Sequence, residues 1–208
     1  MTRMIHKLAG LIFDMDGVLV DSNPFHLDKW MALLNEHGIE FDPAQLPEQI
    51  LGQRNDTALR FFFGDKLSAE ERRRLIEELE EKFRRAFRSH ARPLPGLEPL
   101  VVEGHRAGIP MAVASSAMAK NVEFVVEALG FRRYFKALVN GDEVSKPKPD
   151  PEIYLKAARL LGAKPQSSVA FRHEMRRNRV KFPRFRASLA NPGRSRGRKF
   201  HGTEPAPP

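Results

Sequence analysis

Residues 8–17 read Leu8-Ala-Gly-Leu-Ile-Phe-Asp-Met-Asp-Gly17, an apolar run that ends in two acidic residues and a glycine. A short run without polar residues is typical of a parallel strand that is buried on both faces. Open α/β sheets bind their ligands at the carboxyl ends of such strands, where Asp14 and Asp16 stand. The pattern therefore predicts a functional site at these carboxylates, although an isolated Asp-x-Asp-Gly is also compatible with a plain turn.

Three further short apolar runs alternate with helical patterns along the chain, at residues 109–114, 137–139 and 168–171. This alternation predicts an α/β fold, a three-layer Rossmann-like domain with a parallel sheet. The segment between the first two strands is helical and far longer than an ordinary βα connection, which predicts an inserted α-helical cap subdomain. We expect residues 1–17 and 96–171 to form the α/β core and residues 18–95 to form the cap.

The positive charge of the chain is concentrated at its end. The formal net charge at pH 7 is +9, but residues 1–171 hold 24 basic and 24 acidic side chains. Residues 172–208 hold 11 basic residues against Glu174 and Glu204. Arg-rich, Pro-containing sequence of this kind cannot bury an apolar face, so we expect residues 172–208 to be a disordered basic tail. Nucleic acid would then be a partner of the tail and not of the folded part.

Composition also excludes several classes of protein. The 208 residues include no cysteine, which excludes disulfides, thiolate metal sites and a cysteine nucleophile. No stretch of about 20 apolar residues is present, so no membrane span is expected. The N-terminal apolar run is too short for a secretory signal and leads directly into acidic residues. We therefore expect a cytoplasmic protein.

Asp14 and Asp16 suit phosphoryl transfer. A carboxylate is a hard oxygen ligand for Mg²⁺, and it can also attack phosphorus to form an aspartyl-phosphate. A second carboxylate two residues further on can give a proton to the leaving oxygen and later take one from water. Residues 13–22, Phe-Asp-Met-Asp-Gly-Val-Leu-Val-Asp-Ser, resemble the first motif of the haloacid dehalogenase superfamily of phosphatases and phosphomutases. The resemblance implies that Asp14 is the nucleophile, that Asp16 is the general acid and base, and that both belong to a Mg²⁺ site.

Two further motifs of the superfamily have counterparts here. The family binds phosphate through a Ser or Thr at a strand end, which fits Ser115, with Ser116 beside it; taken alone, the two serines are also compatible with a helix N-cap. The family's Lys-Pro-x-Pro lysine has two overlapping candidates, Lys146 and Lys148. The spacing to the following helix favours Lys148, and Lys146 is the alternative.

The predicted cap resembles that of the subfamily containing β-phosphoglucomutase and phosphoglycolate phosphatase. In Asn23-Pro-Phe-His26, the histidine is similar to a cap-side histidine of the mutases that helps to position the neighbour of the nucleophile. An ordinary histidine on a helix face is the alternative. Arg54, in Gly52-Gln-Arg-Asn55, resembles the substrate-specificity loop of the cap.

The fourth family motif breaks down in this chain. After residues 168–171 the family has an acidic pair whose aspartate completes the Mg²⁺ shell, but here Arg172 and His173 follow. An arginine repels Mg²⁺ where an anion would attract it, so the metal site is expected to be incomplete. The abrupt change of composition suggests a shifted reading frame, which the coding DNA would test. A genuine basic extension is the alternative.

Two functional hypotheses follow. The first is Mg²⁺-dependent phosphoryl transfer, by a phosphatase or phosphomutase acting on a small phosphorylated metabolite such as a sugar phosphate, with activity impaired by the altered fourth motif. The second is an inactive chain whose basic tail binds nucleic acid or acidic surfaces electrostatically.

Overall fold

A computed structural model of the protein describes residues 8–172 and a short strand at residues 186–188. Within these residues the chain forms five strands, β1 to β5, at Gly10–Phe13, Met111–Ala114, Ala137–Val139, Ser168–Phe171 and Arg186–Ser188. The helices α1 to α7 span Asn23–Glu36, Leu46–Ile50, Asn55–Phe63, Ala69–Phe87, Leu97–Arg106, Ala119–Ala128 and Glu152–Leu161. From α5 to β4, helices and strands alternate along the chain, as expected for an α/β domain.

The five strands form one parallel sheet in the order β3-β2-β1-β4-β5. β1 is central, since Leu11 is in register with Met111 of β2 on one side and with Val169 of β4 on the other. All four of its residues are buried, as the continuous apolar run predicts. Parallel pairing brings the carboxyl ends of the strands to one edge of the sheet, and Asp14 lies in the middle of that edge.

A fifth strand lies within the segment that the sequence assigns to the basic tail. Residues 186–188 form β5, which pairs with β4 through register partners such as Ala170 and Ala187. The predicted four-stranded sheet thus gains a fifth strand at its edge. The remaining tail residues, 173–185 and 189–208, lie outside the described residues.

Two apolar layers cover the two faces of the sheet. Because side chains alternate along a strand, Leu11 and Phe13 pack on one face against α5 and α6, whereas Ile12 packs on the other face against α7. This arrangement is the three-layer α/β fold predicted from the sequence. None of the helices in the described part of the chain is long and apolar enough to cross a membrane.

The helical cap, α1 to α4, is inserted between β1 and β2. Its own hydrophobic cluster includes Trp30 and Leu34 of α1, Leu59 of α3 and Leu79 of α4. The start of α4 is fixed by a capping box, in which Ser68 and Glu71 each bind the other's backbone N–H. Further along α4, Phe83 and Phe87 pack with the core cluster instead, so this helix connects the two apolar regions.

The loop after β3 makes an unusually close backbone contact with the loop after β2. Gly141 donates its N–H to the carbonyl oxygen of Ala117 at 2.8 Å. A Cβ atom at position 141 would lie 2.2 Å from the carbonyl oxygen of Ser116. Only glycine fits this position without a shift of the backbone on one side.

Replacing Gly141 by alanine should therefore lower the free energy of unfolding by about 2 kcal/mol, since a clash with backbone cannot be relieved by rotating a side chain. Urea denaturation would measure the loss. The matched control is Gly104→Ala, because a Cβ there would meet the flexible side chains of Leu11 and Met111 at 3.2 Å. An equal loss of stability in both variants would contradict the close approach at Gly141.

Candidate active site

Asp14 lies at the carboxyl end of β1 and is held by an ion pair. Its Oδ1 is 2.7 Å from the Nζ of Lys148, and its Oδ2 accepts a hydrogen bond from the Tyr154 hydroxyl at 3.3 Å. Lys148 also donates to the carbonyl oxygen of Ala114 at 3.2 Å, so it bridges the ends of β1 and β2. Burial opposes the charge of Lys148, but the Asp14 carboxylate outweighs burial and raises the pKa of the lysine above its ordinary value.

Tyr154 belongs to the same buried cluster. Burial, together with the charge of Asp14, raises the pKa of this phenol to about 12, so it stays protonated at neutral pH. The other candidate lysine, Lys146, is exposed, and its backbone N–H donates to Glu152 at 2.7 Å. Of the two candidate lysines, only Lys148 contacts Asp14.

Asp16 contacts the cap side of the site. Its Oδ1 accepts a short hydrogen bond from the Ser22 hydroxyl and lies 3.2 Å from the Nε2 of His26. The His26 ring stacks on Phe83 of α4, with 4.3 Å between ring centroids. Burial would raise the pKa of Asp16, but His26, Ser22 and the charge of Lys148 together lower it to about 2. Asp16 is therefore ionised at neutral pH.

The two serines follow β2 at the same edge of the sheet. Ser115 is fully buried, and its Oγ accepts a hydrogen bond from the N–H of Ala117 at 3.1 Å. Ser116 borders the cavity between cap and core. The N-cap interpretation of these serines is wrong, because α6 begins later, at Ala119, with Met118 in the N-cap position.

Arg54 joins the cap to the core. Its guanidinium donates to the carbonyl oxygen of Gly141 at 2.5 Å and also to that of Val144. Both acceptors belong to the segment after β3. Arg54 borders the cavity, but these two bonds direct its NH2 group at the backbone of the core.

A cavity of about 270 Å³ lies between the cap and the core. Asp16, Ser116 and Gly141 form its core side, and the cap contributes polar side chains that include His26, Arg54, Asn55 and Glu80. Asp14, Ser115 and Lys148 do not border this cavity. The structure thus collects the predicted residues into two neighbouring groups, an ion-paired group around Asp14 and a cavity group around Asp16.

Several polar residues of the site were not predicted. Ser22 was within the quoted first motif, so its contact with Asp16 could have been anticipated from its position there. Tyr154 lies on the first turn of α7, and nothing local distinguishes it from a core residue. Glu80 and Lys29 form a buried ion pair in the cap, with 2.5 Å between Oε1 and Nζ. Both stand in helices with many other charged residues, so nothing in the local sequence marks them as a buried pair.

The resemblance implies Mg²⁺, and the donors present suit it only in part. Asp14 and Asp16 are hard oxygen donors, and Mg²⁺ is commonly held by one or two carboxylates together with substrate phosphate and water. Among the described residues, no three His, Asp or Glu side chains are grouped in a way that could hold a metal ion. Arg172 follows Phe171, whose carbonyl oxygen accepts the N–H of Asp14 at 2.9 Å. The residues therefore fit an ion that is shared with a phosphate, but not a self-contained protein site.

Comparison with known proteins agrees with this architecture. A family model described as a haloacid dehalogenase-like hydrolase matches residues 8–171. A fructose-1-phosphate phosphatase of Escherichia coli, YqaB, is 30% identical over 168 residues, which cover 81% of this chain and 88% of the relative.

Solved structures of similar proteins share the fold. A β-phosphoglucomutase from Clostridium difficile superimposes with a TM-score of 0.71 at 27% identity, covering 79% of this chain and 76% of the other. CbbY from Rhodobacter sphaeroides, solved with xylulose-1,5-bisphosphate, gives a TM-score of 0.68 at 26% identity, with coverages of 79% and 77%. Because the family match extends over nearly the whole described part of the chain, the protein belongs to the haloacid dehalogenase-like hydrolases, a family of enzymes.

Proposed function

We propose that the protein transfers the phosphoryl group of a small phosphorylated sugar through Asp14. The observation that carries the proposal is the ion pair between Asp14 and Lys148, 2.7 Å apart at the carboxyl end of the central strand. Lys148 places a positive charge beside the carboxylate nucleophile, and this charge also attracts a phosphate. The hydroxyls of Ser115 and Ser116, at the end of the neighbouring strand, are the donors that we propose for the phosphate oxygens.

The reaction has two steps. In the first, an Asp14 oxygen attacks phosphorus, the bond from phosphorus to the sugar oxygen breaks, and Asp16 gives a proton to that oxygen. In the second, water attacks the aspartyl-phosphate, Asp16 takes the proton of the water, and Asp14 is released with inorganic phosphate. In a phosphomutase, a hydroxyl group of a sugar would replace the water.

The low pKa of Asp16 sets a condition on the first step. With a pKa of about 2, Asp16 is a carboxylate before substrate arrives and cannot give a proton. A phosphate placed nearby adds negative charge, which raises the pKa of a carboxyl group. We infer that Asp16 gains its proton together with the substrate, and that His26, 3.2 Å away, orients it.

Mg²⁺ is the cofactor we propose, held by Asp14 and Asp16 together with the phosphate. When bound, the ion neutralises charge on the transferred group. Arg172 should weaken its binding, because a positive charge follows β4 where the family has an acidic pair.

Sugar phosphates are the substrate class that the relatives favour. YqaB is a fructose-1-phosphate phosphatase, and a hexitol phosphatase A of Escherichia coli is 32% identical over 167 residues. Cap closure over the cavity would exclude bulk water and select the substrate. We prefer the phosphatase, because Arg54 is already bound to core carbonyl oxygens and a mutase intermediate carries a second phosphate that needs a cation.

The remaining predictions are not tested by these observations. A cytoplasmic location stays a prediction. The alternative of an inactive chain that binds nucleic acid through its tail has no support from the described residues or the relatives, so we do not propose it. The domain boundaries at residues 17, 95 and 171 remain part of the proposal, supported by the separate hydrophobic cluster of the cap.

Removing the nucleophile tests the proposal most directly. Asp14→Asn should lower the Mg²⁺-dependent hydrolysis of p-nitrophenyl phosphate by at least about 10³-fold, because the aspartyl-phosphate cannot form. Asp65→Asn, a substitution at an exposed position in the cap, is the matched control. Equal hydrolysis by the two purified, folded variants would overturn the proposed role of Asp14.

The two lysines provide an internally controlled test of phosphate binding. Lys148→Ala should reduce kcat/KM by about 10²-fold or more, because it removes the cation beside Asp14, whereas Lys146→Ala should change it less than about twofold. Steady-state kinetics with the same aryl phosphate measures both. A larger loss in the Lys146 variant would show that the lysines are assigned the wrong way round.

The effect of Arg172 on the metal can be measured by binding. Arg172→Asp should lower the Mg²⁺ concentration for half-saturation by about tenfold, because a repulsive charge is replaced by an attractive one. Thermal unfolding midpoints at increasing Mg²⁺ concentration report this without turnover. Arg159→Asp, at an exposed position on α7, makes the same charge change away from the site. Identical shifts in both variants would exclude a local effect of Arg172.

A further inference from the structure

Glu80 is a buried carboxylate that the proposed reaction does not use. Its side chain is 3% exposed, and it follows the buried Leu79 on α4 of the cap. Its Oε1 accepts hydrogen bonds from Lys29 and Asn55, each at 2.5 Å, and its Oε2 accepts one from Asn121. Three elements, α1, α3 and α6, thus supply donors to a single carboxylate.

The charge of Glu80 is retained despite burial. Burial would raise the pKa of this carboxyl, but Lys29, the nearby His26 and the hydrogen bonds lower it. Lys29 in turn is buried and lies over the Phe83 ring, 4.9 Å from its centroid. The pair therefore places a fixed, ionised carboxylate at the cavity, where Glu80, Asn55 and Asn121 all form part of the wall.

Glu80, which borders the cavity, has unused acceptor capacity. An ionised carboxylate offers about four lone-pair sites, two on each oxygen. Both sites of Oε1 are occupied by Lys29 and Asn55, whereas Oε2 accepts only Asn121 among the described residues. The remaining lone pair of Oε2 can accept a hydrogen bond. A substrate hydroxyl can donate such a bond, whereas a phosphate dianion cannot.

We infer that Glu80 determines substrate specificity by accepting a hydrogen bond from a hydroxyl of the sugar in the cavity between cap and core. This inference rests on the proposed function. It assigns the substrate class as monophosphorylated sugars or polyols with a free hydroxyl at Glu80. A second phosphate there would meet the Glu80 carboxylate, and Arg54, the cavity cation that could have neutralised it, is bound to Gly141 and Val144.

The experiment measures binding by isothermal titration calorimetry in an Asp14→Asn background, which prevents turnover. The probes are fructose 1-phosphate, fructose 1,6-bisphosphate and inorganic phosphate. Adding Glu80→Gln should reduce the preference for the monophosphate over the bisphosphate by at least about tenfold, because the repulsive charge is lost. Glu77→Gln is the matched control, one turn earlier on α4, where the carboxylate pairs with Lys120 at 2.6 Å and is 45% exposed.

A second variant separates the role of Glu80 from effects on folding, because Glu80→Gln leaves the buried Lys29 without its counter-ion. Lys29→Met with Glu80→Leu removes both charges at similar volume, a replacement that buried ion pairs often tolerate. In this variant the affinity for fructose 1-phosphate should fall at least about tenfold relative to that for inorganic phosphate, since the hydroxyl loses its acceptor.

The outcomes are distinguishable. A folded double variant with an unchanged ratio of the two affinities would overturn the role of Glu80, as would an unchanged preference in the Glu80→Gln chain. Failure of the Asp14→Asn chain to bind inorganic phosphate, together with no hydrolysis of an aryl phosphate by the unsubstituted protein, would instead overturn the proposed function itself.

Discussion

The ion pair between Lys148 and Asp14 is the interaction on which the site depends. Parallel pairing brings the ends of β1 and β2 to one edge of the sheet, and the amino group of Lys148 contacts a group on each, the Asp14 carboxylate at 2.7 Å and the Ala114 carbonyl at 3.2 Å. The same cation that holds the Asp14 carboxylate in place can attract the phosphate that this carboxylate would attack. Lys148 therefore both joins the ends of two strands and supplies the positive charge of the site.

Besides the packing of Phe83 and Phe87, several contacts between cap and core are polar, and this affects how the cavity can open. Arg54 binds backbone carbonyl oxygens of the core, and Asn121 of α6 receives Arg84 of the cap at 2.7 Å while it donates to Glu80. Groups of this kind can exchange their partners for water, whereas a large apolar interface could not separate without exposing its surface. The Lys29–Glu80 pair lies wholly within the cap, so it would move with the cap as a unit and present the same carboxylate on each closure.

The sequence predicts the sheet and the first motif well, because both depend on local patterns. A continuous apolar run specifies a buried strand, and the acidic residues directly after it must lie at the sheet edge. Glu80 is different, since it stands among Glu77, Glu78 and Glu81, which have the same local character. Its burial arises only when α1 and α6 pack against α4, which no helical periodicity reveals. β5 was not predicted for a related reason. Three residues in an Arg-rich segment show no strand pattern, and they form a strand by pairing with β4.

The altered fourth motif changes the electrostatics of the strand ends in a way that bears on the metal. Two carboxylates and Lys148 leave one net negative charge, which the acidic pair of the family would increase and the positive charge of Arg172 would reduce. A site with excess negative charge repels a phosphate dianion until a divalent cation is bound, so metal binding must accompany substrate binding. A site near neutrality has less repulsion to overcome. The same arginine that weakens a Mg²⁺ site therefore also reduces the need for the ion in binding phosphate, and its net effect on catalysis depends on how much charge develops on the transferred group.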